Sequence, residues 1–170
     1  MELKIKRLKK FAPFPKKSHA SDACFDLYAT DFQDGMFSGS WIFNTGIAIE
    51  IPEGYYGQIL TRSSCAKKGL VVLGGVIDSG YRGEIKVVVY TPVAQTAEDA
   101  EEMEKSFEEY TIKQWTDIAY MVGKPIAQLA ILPVPKFEVV ESQDLSETER
   151  GVGGFGSTDK NLICNGVKNE

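Results

Sequence analysis

Three short stretches of the chain bring together residue types that can do chemistry. Arg62-Ser63-Ser64 ends an apolar run, and Gly69 closes what reads as a short helix from Ser64 to Lys68. A helix start with unbonded N–H groups, two hydroxyls and a guanidinium suits phosphate oxygens, although alone it reads as a Ser-capped helical turn. The second stretch is Gly74-Gly75-Val76-Ile77-Asp78-Ser79-Gly80-Tyr81-Arg82-Gly83-Glu84-Ile85. Paired glycines there let backbone approach a flat ligand and read its edge. Asp78 follows an apolar pair, so the sequence predicts either a partly shielded carboxylate available as a base or an ordinary turn aspartate. The third is Arg150-Gly151-Val152-Gly153-Gly154-Phe155-Gly156-Ser157-Thr158. It is too glycine-rich for a strand or helix and reads as a mobile arm, with Arg150 as a fork for phosphate and Phe155 as a ring to stack on a base. A merely disordered tail is the alternative, and a lone aromatic among glycines speaks against it.

Positioning these stretches requires a core, and 170 residues with 43% hydrophobic content are enough for one without disulfides or a structural metal. Short β-segments separated by Gly and Pro dominate. Leu3, Ile5 and Leu8 mark a first strand with a solvated outer face. Ile47, Ile49 and Ile51 alternate up to Pro52-Glu53-Gly54, which turns into Tyr55–Thr61, so these two runs are expected to form a hairpin. Further strands are predicted at 71–77, 84–91, 125–132 and 136–141. The absence of a βαβ rhythm argues against a parallel nucleotide fold. The expected organisation is a β domain over 1–149, with an insert at about 93–122, and a flexible arm over 150–170. Within the insert, Thr96 and Asp99 resemble a capping box, and Ala100, Met103, Phe107 and Tyr110 recur at helical spacing. The apolar pattern continues at Trp115, Ile118 and Ala119.

Charge is unevenly spread. The formal net charge is −5, from 19 Lys+Arg and 24 Asp+Glu. Residues 2–17 hold Lys4, Lys6, Arg7, Lys9, Lys10, Lys16 and Lys17 against Glu2, whereas residues 98–109 hold Glu98, Asp99, Glu101, Glu102, Glu104, Glu108 and Glu109 against Lys105. The acidity therefore belongs mainly to the insert, and neither nucleic-acid coating nor direct nucleic-acid binding is expected. No stretch reaches the roughly 20 apolar residues of a membrane span, and the opening residues have no apolar run of signal length. Three cysteines, Cys24, Cys65 and Cys164, cannot all pair, which predicts a reducing, cytoplasmic setting. Cys65 reads as a buried structural residue and His19, the sole histidine, as an exposed loop residue. There is no Cys/His cluster at zinc-ligand spacing.

Five ordered stretches together resemble the trimeric dUTP diphosphatases: Ala23-Cys24-Phe25-Asp26-Leu27-Tyr28-Ala29, Arg62-Ser63-Ser64, Gly75–Ile85, Gly123-Lys124-Pro125-Ile126-Ala127-Gln128-Leu129, and Arg150–Thr158. The resemblance implies an all-β, jelly-roll-like fold, a homotrimer whose active sites borrow from all three subunits, and hydrolysis of dUTP to dUMP and pyrophosphate with Mg²⁺ on the triphosphate. By position, Asp78 would deprotonate the water that attacks the α-phosphorus. Tyr81 would pack on the deoxyribose and leave no room for a 2′-hydroxyl. Gly75, Val76 and Ile77, with Lys86, would read uracil. Arg62, Ser63, Ser64 and Gln128 would hold phosphate oxygens, and Asp26 would lie near the metal's water shell. Arg150, Phe155, Gly156, Ser157 and Thr158 would close over the γ-phosphate and base. Three positions depart from the family pattern: Cys24 and Asp159 where glycine is usual, and Gly80 where an acidic residue is usual.

Two other functions compete. A dCTP deaminase of related fold would need a catalytic Glu on the strand after the turn, where this chain has Lys86-Val87-Val88-Val89-Tyr90. A nucleotide-switched regulatory protein would use the acidic insert to bind a protein partner; phage-encoded members of the family that this chain resembles carry inserts just before the fourth motif, and some are implicated in binding repressor proteins of mobile elements. The plainer expectation is that the insert helix packs on its own subunit.

Overall fold

Val87 and Val89 alternate with half-buried Val88 and Tyr90, the period-2 pattern that makes a strand bury one face. The computed structural model, which describes residues 1–36, 39–91 and 116–153, contains ten strands in those residues. They are β1 (Lys4–Arg7), β2 (Phe25–Tyr28), β3 (Asp31–Asp34), β4 (Ser40–Asn44), β5 (Ile47–Glu50), β6 (Tyr55–Leu60), β7 (Val71–Leu73), β8 (Val76–Ile77), β9 (Lys86–Tyr90) and β10 (Pro125–Pro133). One short helix, α1 (Ser63–Ala66), follows β6.

The strands form two four-stranded sheets, ordered β2-β10-β6-β8 and β3-β4-β9-β7, and a two-stranded sheet of β1 and β5. Every strand pair is antiparallel. The architecture is all-β and jelly-roll-like, as expected. Leu27, Phe43, Ile49, Ile85, Val87, Ile126 and Leu129 are fully buried at its centre. On β10 a bulge between Pro125 and Ala127 changes the phase of the strand, so Ile126 and Ala127 are both buried.

Three strand expectations need correction. β5 and β6 do not form a hairpin: β5 pairs with β1, and β6 pairs with β10 and β8. The Pro52-Glu53-Gly54 turn exists, with Tyr55 N–H donating to Pro52 O at 3.2 Å and Gly54 at φ +82. It passes the chain from one sheet to another: both edges of β6 are taken by β10 and β8, so β5 pairs with β1 instead. The predicted strand 71–77 is two strands in two sheets, broken at Gly74 with φ +59. Residues 136–141 form no strand and are exposed.

The chain divides into two units, residues 1–135 and 136–170. The first contains all ten strands. In the described part of the second, residues 136–153 are almost wholly exposed, and a turn at 148–153 is closed by Gly151 N–H on Thr148 O at 3.0 Å. Among the described residues no helix is long and apolar enough to cross a membrane.

Candidate active site

The central strand β10 aligns the residues expected to meet phosphate. Gln128 stands opposite Asp26 of β2 on one side and Leu60 of β6 on the other. Its amide donates to Thr61 O at 3.0 Å, just before the chain turns into α1. Arg62 is the N-cap of α1 and has extended backbone, so neither serine is the cap that the spacing suggested, and no side chain caps the helix. Instead the Arg62 guanidinium reaches back across the sheet: Nε donates to Asp26 Oδ1 at 2.8 Å, Nη2 to Asp26 Oδ2 at 3.4 Å, and Nη1 to Pro125 O at 3.1 Å. Ser63 and Ser64 are exposed beside it. Asp26, Arg62, Ser63 and Gln128 line one cavity of about 430 Å³ with Ser18, Asp22, Ala23 and Cys24. Ser18 and Asp22 escape a motif-based reading because they precede the first motif in an exposed loop. Their short polar side chains next to that motif are the available signal.

The glycine-rich turn after β7 builds a second cavity of about 200 Å³, lined by Val76, Ile77, Asp78, Tyr81, Glu84 and Lys86. Gly75 makes it possible by lying against β6. Ile59 N–H donates to Gly75 O at 2.7 Å, and a Cβ on Gly75 would fall 2.3 Å from Ile59 O. Asp78 is exposed in this chain, as in the second of the two alternatives its sequence context left open, and Val76 beside it is itself 63% exposed. Tyr81 N–H donates to Asp78 O at 3.1 Å, closing the turn, and the Tyr81 hydroxyl donates to Glu84 O at 2.9 Å. Arg82 Nη1 donates to Ser79 O at 2.6 Å and stiffens the same loop. The two cavities share no lining residue.

Arg150 is exposed, and its Nε donates to Gly153 O at 2.9 Å within its own turn. Phe155, Gly156, Ser157 and Thr158 lie outside the described residues, as does the expected helix of the insert. Of the insert's end, residues 116–119 are helical, and Ile118 is 4% exposed in the core. A larger cavity of about 580 Å³ lies between this end and α1, lined in part by Arg62, Ser64, Lys68, Ile118, Tyr120 and Lys124. Cys65 is buried, with Sγ donating to Ile126 O at 3.5 Å, and His19 is exposed, both as expected.

Among the described residues no three His, Cys, Asp or Glu side chains cluster to hold a metal. The cavity around Asp26 nevertheless presents oxygen donors from Ser18, Asp22, Asp26, Ser63 and Gln128. That donor set fits Mg²⁺, which retains water and is commonly held by one or two carboxylates together with substrate phosphates.

Comparison with known proteins agrees with this geometry. The dUTPase family model matches residues 10–98. A deoxyuridine 5'-triphosphate nucleotidohydrolase from Hydrogenobaculum sp. is 40% identical over 164 residues, covering 93% of this chain and 98% of that protein. A solved structure of the Staphylococcus bacteriophage 80alpha dUTPase with dUPNHPP, an enzyme described as controlling transfer of virulence genes by a proto-oncogenic G protein-like mechanism, superposes with a TM-score of 0.67 at 25% identity, covering 92% of this chain and 97% of that one. A point mutant of the dUTPase of S. aureus phage phi11, described as coordinating a structural Mg(II) ion, shares the fold at 21% identity and a TM-score of 0.63, covering 86% of this chain and all of that one. Fold and relatives define an all-β nucleotidohydrolase. The chain belongs to the dUTPase family, whose members hydrolyse deoxyuridine 5'-triphosphate.

Proposed function

We propose that the chain hydrolyses dUTP to dUMP and pyrophosphate in active sites shared between subunits of a homotrimer. The observation that carries this reading is the separation of its parts. The Arg62 guanidinium, Ser63 and Gln128, suited to phosphate, line one cavity, with Ser64 beside Arg62 on the neighbouring larger one, whereas Asp78, Tyr81 and the Gly75 backbone line or border another. In a trimer, a nucleotide can use the phosphate cavity of one copy together with the base-and-sugar cavity of the next. Such an arrangement would also cover Asp78, which is exposed in the single chain.

In that site the Asp78 carboxylate takes a proton from water. The water oxygen forms a bond to the α-phosphorus, and the bond from that phosphorus to the bridging oxygen of the β-phosphate breaks, releasing pyrophosphate. Arg62, Ser63, Ser64 and Gln128 orient phosphate oxygens, and Arg150, Phe155, Gly156, Ser157 and Thr158 close over the γ-phosphate and base. Gly75, Val76, Ile77 and Lys86 read the uracil edge, and the Tyr81 ring takes the deoxyribose. When bound, Mg²⁺ neutralises phosphate charge, and Asp26 holds its water shell. A panel of dUTP, dCTP, dTTP and UTP with pyrophosphate detection tests the reading: pyrophosphate from dUTP alone is expected, and equal release from dCTP or UTP overturns it. Ammonia from dCTP would instead indicate a deaminase.

A second role, binding a regulatory protein through the acidic insert, is supported by the likeness to the phage enzyme and by the carboxylates of residues 98–109. Deleting residues 96–116 should keep dUTP turnover and abolish partner binding. Collapse of turnover would assign the insert to the site or the assembly instead.

A further inference from the structure

We infer that Glu84 is a positioning residue for sugar selection, acting through Tyr81. This rests on the reading that Tyr81 packs on the deoxyribose. Glu84 and Ile85 clamp the end of the glycine-rich loop onto the corner between β4 and β5. Glu84 Oε1 accepts from Gly46 N–H at 2.7 Å, Thr45 Oγ1 donates to Ile85 O at 2.6 Å, and Ile85 N–H donates to Ile47 O at 2.8 Å.

The Gly46 end of this clamp cannot give way. Its φ is +68, and a Cβ there would meet Ala12 Cβ at 2.9 Å, so the backbone is held close against the Lys9–Ala12 turn that follows β1. Its carbonyl accepts from both Leu8 and Lys9 N–H groups. The other end of Glu84 faces the ligand side: its carbonyl is the acceptor for the Tyr81 hydroxyl at 2.9 Å, and the ring tip sits where a Cβ on Gly83 would be, 2.4 Å from Oη. A single half-buried residue thus joins the fixed Gly46 corner to the hydroxyl that sets the tilt of the Tyr81 ring. A ring released from this hydroxyl contact can tilt away from the sugar and relax its exclusion of a 2′-hydroxyl. The required property of the Glu84 side chain is an acceptor oxygen rather than a negative charge, since its partner is a backbone N–H.

The test compares kcat and KM for dUTP and UTP in Glu84→Ala, Glu84→Gln, Tyr81→Phe and Tyr81→Ala. Glu84→Ala should cut the preference for dUTP over UTP by about tenfold, Tyr81→Phe should do the same, and the double variant should add little further because one linkage is lost in each. Glu84→Gln, which retains an acceptor, should restore most of the preference. Melting curves identify a variant that fails to fold, and Tyr81→Phe, which removes a single surface hydroxyl, then carries the test. An unchanged preference in Glu84→Ala, or Glu84→Gln as defective as Glu84→Ala, overturns the inference. If Tyr81→Ala also retains full preference, the sugar-contact reading of Tyr81 has failed; if it loses preference while Glu84→Ala does not, only the role of Glu84 has failed.

Discussion

Arg62 and Asp26 form a forked ion pair across β10, with Nε and Nη2 of the guanidinium on the two carboxylate oxygens and only 25% and 15% of the two side chains exposed. Nη1 is spent on Pro125 O and, at 3.4 Å, on Ser64 Oγ. Of the five N–H donors of a guanidinium, this leaves one on Nη2 for phosphate without rearrangement. The pair therefore fixes where the arginine stands before any substrate arrives, and it ties the first, second and fourth motifs to one point.

Arg62→Lys keeps the charge and loses the fork, since a single ammonium cannot serve both carboxylate oxygens and the Pro125 carbonyl. We expect kcat/KM for dUTP to fall at least about tenfold. Asp26→Asn removes the charge while keeping one acceptor, and should cost about 1–2 kcal/mol of folding stability. Urea unfolding and steady-state kinetics of the two variants check both statements, and wild-type behaviour in Arg62→Lys would show that the fork is dispensable.

Gly75 and Gly80 make a contrasting pair in the same loop. A Cβ on Gly75 would lie 2.3 Å from Ile59 O, a backbone atom that can move only by opening the β6–β8 contact, whereas one on Gly80 meets nothing within 4 Å. Gly75→Ala should cost about 1–3 kcal/mol and raise KM for dUTP, while Gly80→Ala should change stability by less than about 0.5 kcal/mol. Equal urea midpoints for the two variants would refute the close approach of Gly75 to β6.

Lys4 donates to Glu50 Oε1 at 3.0 Å between β1 and β5, and this hydrogen bond, with the lysine charge, holds the Glu50 carboxyl below its ordinary pKa. A carboxylate whose pKa is lowered on folding contributes stability above its unfolded value and loses it as pH falls through the folded one. The contribution of the pair should thus be constant above the ordinary glutamate range and be lost only as pH falls below that range, through the lowered folded-state value. Urea unfolding of wild type and Lys4→Met at several pH values should converge on the acid side. A gap that widens there would give the pair the opposite sign.

Much of this was legible in residue types and order. Val87 and Val89 betray β9 by alternation, and the five motifs point to the family. What escaped was the assignment of strands to sheets. Ile47–Ile51 and Tyr55–Thr61 look like hairpin partners, yet the turn between them hands the chain to another sheet, and nothing local says that β10, some 70 residues later, takes the edge of β6. Gly74 and Gly75 read as permissive turn residues, and Gly74 is one, at φ +59, but the close approach that requires a glycine at 75 depends on Ile59, which lies outside the motif. The Arg62–Asp26 fork was hidden for the same reason: its partners are 36 positions apart and meet only because both flank β10.

The separation of the two cavities makes complementation the decisive prediction. Asp78→Asn should leave nucleotide binding nearly intact and lower hydrolysis by about 10²–10⁴-fold, the usual worth of a positioned base. Arg62→Ala should be impaired through the other cavity. If each site draws Asp78 from one copy and Arg62 from another, co-assembly of the two inactive variants creates some sites with both native residues, and a fraction of wild-type turnover returns. Chains that supply a whole site by themselves cannot produce this, because every such site would carry one of the two lesions. Turnover that stays at the sum of the separate variants after verified co-assembly would place Asp78 and Arg62 in the same copy's site.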